Sequence, residues 1–190
     1  MDTLGIVDSR SIAAGAELAD IMLKAAPVTL VRASVVCAGR FLILVGGDRE
    51  AVDASVQAAR ATEARLAGSY VVSNVSSQVL NVLRRMPAEI GGAALGVVEC
   101  RNAADSVIAA DKAVKQAAVS LMRMVLGQGI GGKSYFVLTG DVAAVREAAA
   151  AAADVLGNNL MRMVVIPQAD PEVVSALAGT ARRSANDAQQ

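Results

Sequence analysis

Residues 4–35 read LGIVDSRSIAAGAELADIMLKAAPVTLVRASV, and residues 95–126 read LGVVECRNAADSVIAADKAVKQAAVSLMRMVL. Laid over one another at a constant shift of 91, they agree at 12 of 32 positions. Leu4, Gly5, Val7, Arg10, Ala13, Ala19, Asp20, Lys24, Ala26, Val28, Leu30 and Arg32 recur as Leu95, Gly96, Val98, Arg101, Ala104, Ala110, Asp111, Lys115, Ala117, Val119, Leu121 and Arg123. Alanine enrichment accounts for some of these matches, but not for Gly, Arg, Asp and Lys in one register. The chain is an internal duplication, and a repeat of this length decides the fold before any single motif does.

Beyond the duplicated segment the second copy carries two extra residues, and the register resumes at a shift of 93, with CAGRFLILVGGDREAV over IGGKSYFVLTGDVAAV. Each copy reads strand, helix, strand, turn, strand, helix. The opening strands are LGIVDSR and LGVVECR. Apolar residues at helical spacing follow, around Ala19, Met22, Leu23 and Ala26 in one copy and Ala110, Ala113, Val114 and Ala117 in the other. VTLVRASVV and VSLMRMVLG alternate like half-buried strands, and FLILVGGD and YFVLTGD complete a hairpin with them. Alanine-rich helices are predicted over residues 49–67 and 142–156. This pattern predicts an α+β fold in each copy, an antiparallel sheet flanked by helices. Residues 84–92, RRMPAEIGG, hold a proline and paired glycines and predict the linker, with one domain over residues 1–87 and the other over 88–190. The polar end GTARRSANDAQQ is expected to fray.

One motif points elsewhere. Gly127 to Ser134, GQGIGGKS, fits the phosphate-binding pattern G-x-x-x-x-G-K-[ST]. That cradle works only where a helix begins at the Lys-Ser end and supplies its amides and dipole. Here Lys133 is followed by an aromatic and β-branched run, which signals a strand. The first copy has Val36, Cys37, Ala38, Gly39 and Arg40 at the equivalent turn, so the pattern is read as a coincidence of a glycine-rich hairpin.

Composition narrows the function further. Lys plus Arg and Asp plus Glu are 18 each, so no basic field draws nucleic acid or anionic lipid. The chain has no histidine, which excludes serine-histidine, cysteine-histidine and histidine-metal chemistry, and aromatic residues are 2%. No apolar run reaches the length of a membrane span, and the start MDTLGIVDSR lacks the features of a signal peptide, so a cytoplasmic location is expected. Cys37 and Cys100 are too few for a disulfide scaffold. Cys100 reads as a structural strand residue. Asp48 and Asp141, each after a glycine and before a helix, read as N-caps or turn formers.

ALGVVECR, AADKAVKQAAVSL, GIGGK and TGDVAAV resemble the bacterial microcompartment shell domain, and the first copy repeats these landmarks as TLGIVDSR, LADIMLKAAPVTL, CAGR and GGDREAV. The resemblance covers nearly the whole chain apart from the tail. It implies two shell domains in the unpermuted order, and hence a structural protein and not an enzyme. Tandem-domain members form trimers that imitate a hexamer and tile, with other shell proteins, into a facet with a central pore for metabolites.

SIAAGAELADIMLKAA followed by VCAGRFLILVGGD, with GIGGKSYFVLTGD in the second copy, resembles the iron-sulfur-containing tandem shell proteins of propanediol-utilisation compartments. The resemblance implies that Cys37, Ala38 and Gly39 of the first copy and Ile130, Gly131 and Gly132 of the second alternate around the pore. Cys37 reads either as a small hydrophobe at a strand end or, from three chains, as the ligand of a 4Fe-4S cluster that conducts electrons across the shell. The relatives' cysteine is followed by Pro-Gly, whereas here Ala38 and Gly39 follow. Lys24 and Lys115 sit where the family's assembly-edge lysine sits; from the residues alone, each reads as a solvated lysine complementing a helix dipole.

Overall fold

In a computed structural model, the structure describes residues 2–86 and 91–179. The first half runs β1 (Thr3–Ser9), α1 (Ile12–Ala25), β2 (Thr29–Val36), β3 (Arg40–Gly47), α2 (Arg49–Arg60), β4 (Leu66–Ser73) and α3 (Ser77–Leu83). The second repeats it as β5 (Ala94–Cys100), α4 (Ala103–Gln116), β6 (Val119–Leu126), β7 (Ser134–Gly140), α5 (Val142–Leu156), a short 3-10 turn, β8 (Leu160–Pro167) and α6 (Pro171–Ala178). Each half builds a four-stranded antiparallel sheet, ordered β2-β3-β1-β4 and β6-β7-β5-β8.

The repeated Leu-Gly is explained by packing. A Cβ on Gly5 would lie 2.8 Å from Val56 and 2.9 Å from Val52 of α2, and one on Gly96 would lie 2.7 Å from Val145 of α5. Only glycine lets those helices settle this close on the central strand. Helices α1 and α4 begin at Ser11 and Asn102, whose side chains accept from the amides of Ala14 and Asp105. Asp48 and Asp141 occupy the N-cap positions of α2 and α5 with extended backbone, but their side chains make no capping bond.

Two elements per half go beyond the sequence reading. The helix predicted over residues 49–67 stops at Arg60, because the Thr62 hydroxyl donates to the Ala59 carbonyl at 2.8 Å and then accepts from Ala64 N–H. Leu66 onward becomes β4, which pairs with β1 on the side away from β3. Each half thus gains a fourth strand and a closing short helix. The expected boundary at residues 87 and 88 lies outside the described residues, as does the tail beyond Gly179.

The halves are joined by those extra elements. β4 and α3 cover α4 and β6, so the core of the second half continues into Val75, Val79 and Leu83 of the first. The Tyr70 hydroxyl donates to Asp105 Oδ1 at 2.6 Å, and Ser76 N–H donates to Asp111 Oδ1 at 2.7 Å. The Gln78 amide brackets the edge strand β6. Its Nε2 donates to the Val119 carbonyl at 3.0 Å while its Oε1 accepts from Leu121 N–H at 2.7 Å. Nine residues of α4 are buried against three of α1, the helix at the equivalent place that no such edge covers.

Asp105 is buried and also held by Asn102, so removing the phenol leaves one of its oxygens short of a donor. Tyr70→Phe is expected to lower unfolding stability by about 1–2 kcal/mol, read by chemical denaturation; an unchanged midpoint would show that this bond does not hold the joint.

Candidate functional site

Two hairpin loops meet in one chain. The first, residues 37–39, links β2 to β3, and the second, residues 127–133, links β6 to β7. Cys37 N–H donates to the Gly127 carbonyl at 2.8 Å, and Gly129 N–H donates to Cys37 Sγ at 3.0 Å. Close approach requires glycine here: a Cβ on Gly127 would lie 2.9 Å from Val36 Cβ, and one on Gly132 would lie 3.1 Å from the Cys37 carbonyl oxygen. The structure therefore brings Cys37 and Ala38 of the first copy against Ile130, Gly131 and Gly132 of the second, while a Cβ on Gly39 would meet nothing within 4 Å.

Ala38 has φ +64°, in the left-handed region, and Gly39 follows at +69°. Proline is locked near −65°, so this turn does not accept a proline at position 38.

The two cysteines differ in chemistry. Cys37 is half-buried in its loop, and its thiol is held below the ordinary range by the Gly129 amide first, opposed by burial, with the amides of Ile130, Gly132 and Gly131 adding to the downward shift. Amide donors favour the thiolate, the form that binds metals and attacks electrophiles. Cys100 is fully enclosed beside Ser106 and Ser134, and burial pushes its thiol up to about 11. Among the described residues no three His, Cys, Asp or Glu side chains of one chain gather to hold a metal ion.

The Lys-Ser pair of the phosphate-like motif is engaged in the fold. Lys133 Nζ pairs with Glu99 of β5 at 3.3 Å, and Ser134 is buried at the start of β7 with its hydroxyl donating to the Asn102 carbonyl. No helix starts at Lys133. The first half uses the same device in stronger form, since Arg40 forks onto Asp8 of β1 with bonds of 3.1 and 2.6 Å. Burial raises the Asp8 carboxyl above its usual range while Arg40 opposes that shift. In both halves, then, the cation that follows the loop ties the hairpin base to the acidic residue of the central strand.

Lys24 and Lys115 each pair with the aspartate one helical turn earlier, Asp20 and Asp111. Their surroundings differ. Lys24 is exposed, whereas Lys115 also reaches the Ser73 carbonyl at 3.4 Å across the joint between the halves. Arg101 donates from Nε to the Asn158 carbonyl inside its own half. Sequence reasoning missed Tyr70, Ser76 and Gln78. Their only signal was polar residues in a stretch otherwise patterned as strand and helix.

Comparison with known proteins agrees with the geometry. The BMC domain model matches residues 3–79 and again residues 94–169. The chain is 39% identical over 172 residues to the bacterial microcompartment shell protein PduT of Citrobacter freundii, covering 87% of this chain and 91% of that one. The carboxysome shell protein CsoS1C of Halothiobacillus neapolitanus is 35% identical over 88 residues, 44% of this chain and 90% of its own length. Among solved structures, a microcompartment protein of Desulfitobacterium hafniense superposes with a TM-score of 0.82 at 38% identity, covering 91% of this chain and 98% of that one. The two halves of the chain are tandem BMC domains, and the protein belongs to the bacterial microcompartment shell family, a structural and not an enzymatic one.

Proposed function

We propose that three copies of this chain close into a ring that imitates a hexamer and serves, with other shell proteins, as a tile of a microcompartment shell in the bacterial cytoplasm. The observation that carries the reading is the one-sided joint. Within the chain, the β4–α3 edge of one half covers the α4–β6 face of the other, while the matching β8–α6 edge and α1–β2 face are left bare. A head-to-tail contact of this kind, repeated from chain to chain, makes a ring when its rotation closes. With six half-tiles around one axis, the paired loops bearing Cys37, Ala38, Gly39, Ile130, Gly131 and Gly132 line a central pore for small metabolites. The unequal loop lengths give this pore three-fold symmetry where six identical domains would impose six-fold.

A second reading is favoured by Cys37. A partly exposed thiol, already biased toward thiolate by the facing amides, suits cluster ligation. Three such thiolates around the axis would hold an iron-sulfur cluster, and a bound cluster would supply one-electron transfer across the shell. Cys100, enclosed with a raised thiol, is unsuited to that role.

Iron and acid-labile sulfide in rings purified without oxygen separate these readings. The metabolite pore expects neither; about four irons per three chains, lost in Cys37→Ser, assigns the axis to a cluster. In iron-free protein, iodoacetamide at neutral pH is expected to alkylate Cys37 faster than an ordinary thiol and to spare Cys100 until unfolding, read by peptide mass spectrometry; equal labelling contradicts the assigned thiol chemistry. For the edge lysines, Lys24→Ala with Lys115→Ala is expected to keep the ring mass, since the exposed Lys24 pair contributes about 0–1 kcal/mol and buried Asp111 keeps the Ser76 N–H when Lys115 is removed, but to lose flat sheets in electron micrographs. Sheets like those of the unaltered protein would rule out the edge role.

A further inference from the structure

The two halves are related residue by residue, so the joint inside the chain is a template for the joint between chains. Thr3 pairs with Ser73 as Ala94 pairs with Pro167. Ser76 accepts from the Gln78 amide as Asp170 accepts from the Glu172 amide. Val79 therefore corresponds to Val173 and Gln78 to Glu172. On the receiving side, β2 and β6 are both edge strands with the same bulge, between Leu30 and Arg32 and between Leu121 and Arg123, so Val119 and Leu121 correspond to Val28 and Leu30.

Exposure follows that correspondence. Val79 is fully buried inside the joint while Val173 is 43% exposed, and Leu121 is 2% exposed while Leu30 is 42% exposed. Ile166 of β8, which corresponds to Val72, is also exposed, as are Ile12, Leu23 and Val35 on the α1–β2 side. These two apolar surfaces continue the pattern of an interface already present in the chain, and a second copy of the chain is the occupant that matches both.

We infer that Glu172 of one copy takes the place of Gln78 against the Val28–Leu30 edge of the next, which makes the joint between chains the weaker of the two joints in the ring. This rests on the trimer reading above. The chemistry is that of an amide against a carboxylate. Gln78 both donates and accepts, satisfying a carbonyl and an N–H of the edge strand. An ionised glutamate only accepts, so it takes the Leu30 N–H and leaves the Val28 carbonyl without a donor as the joint excludes water. Three other exchanges act alongside. Asp170 stands where the first half has Ser76, adding a carboxylate beside Asp20, against which Lys24 is the nearby cation. Val164 stands where Tyr70 does and Ala14 where Asp105 does, so the bond between Tyr70 and Asp105 has no counterpart. Arg162 fills the position of Gly68, beside the helix start where Val164 is smaller than Tyr70.

Dilution of the full-length protein, followed by mass photometry, tests this with Glu172→Gln, Val173→Asp and Gln78→Glu. Glu172→Gln is expected to keep the ring together to about tenfold lower protein concentration than the unaltered chain. Val173→Asp is expected to give a folded monomer, with circular dichroism unchanged. Gln78→Glu is expected to lower the melting midpoint by about 3 °C without shifting the dilution curve of the ring. A Glu172→Gln ring that dissociates at the same or a higher concentration overturns the inference while leaving the trimer intact. An unaltered chain that stays monomeric at every concentration overturns the trimer reading and this inference together.

Discussion

The structure depends on the seating of one half's outer strand and short helix on the helix and edge strand of the other. Without that contact α4 would have no cover for the face carrying Asp105 and Asp111, two buried carboxylates whose partners Tyr70 and Ser76 come from across the joint. Burying a carboxylate is costly unless donors are supplied at fixed positions. The joint is therefore both apolar, through Val79 and Leu121, and orienting, through the aspartates and the Gln78 bracket. It sets the angle between the halves, and that angle brings Cys37 against Gly129.

A duplicated domain frees the two copies to diverge where a ring of identical domains is held to sameness. Two of the differences fall where the halves meet or end. At the loops, one copy has Cys37-Ala38-Gly39 and the other a longer glycine-rich turn whose amides face the sulfur. At the start of the short helix after the fourth strand, one copy has Ser76 and Gln78 and the other Asp170 and Glu172. The framework beneath is retained: Gly5 and Gly96 admit the same helix, and Asp8–Arg40 and Glu99–Lys133 brace the same hairpin.

Much of this was legible in the residues because it is local or periodic. The 91-residue shift located both domains, the alternating runs located three strands of each sheet, and the strand signal after Lys133 dismissed the phosphate motif. The fourth strands were not legible. β4 begins within a few residues of an alanine-rich helix and carries Gly68 and Ser69, and β8 interleaves Met161 and Met163 with Arg162 in place of clean alternation. Helix α3 is too short to announce itself by period, and its apolar residues are buried by the other half of the chain. Gln78, Tyr70 and Ser76 act on partners 35 to 43 residues away, a separation that no local pattern encodes. The Cys37 loop was located through resemblance, while its contact with Gly129 follows only from the joint.

The central claim is that the joint seen once within the chain is repeated between chains until a ring closes around the paired loops. The most direct test is an electron-microscopy map of the assembled full-length protein in solution. The account predicts three chains and six similar lobes about one axis, the Cys37 loops innermost, and each β8–α6 edge seated on the α1–β2 face of the next copy. A two-fold dimer, or a ring with the Cys37 loops at its outer rim, would contradict it.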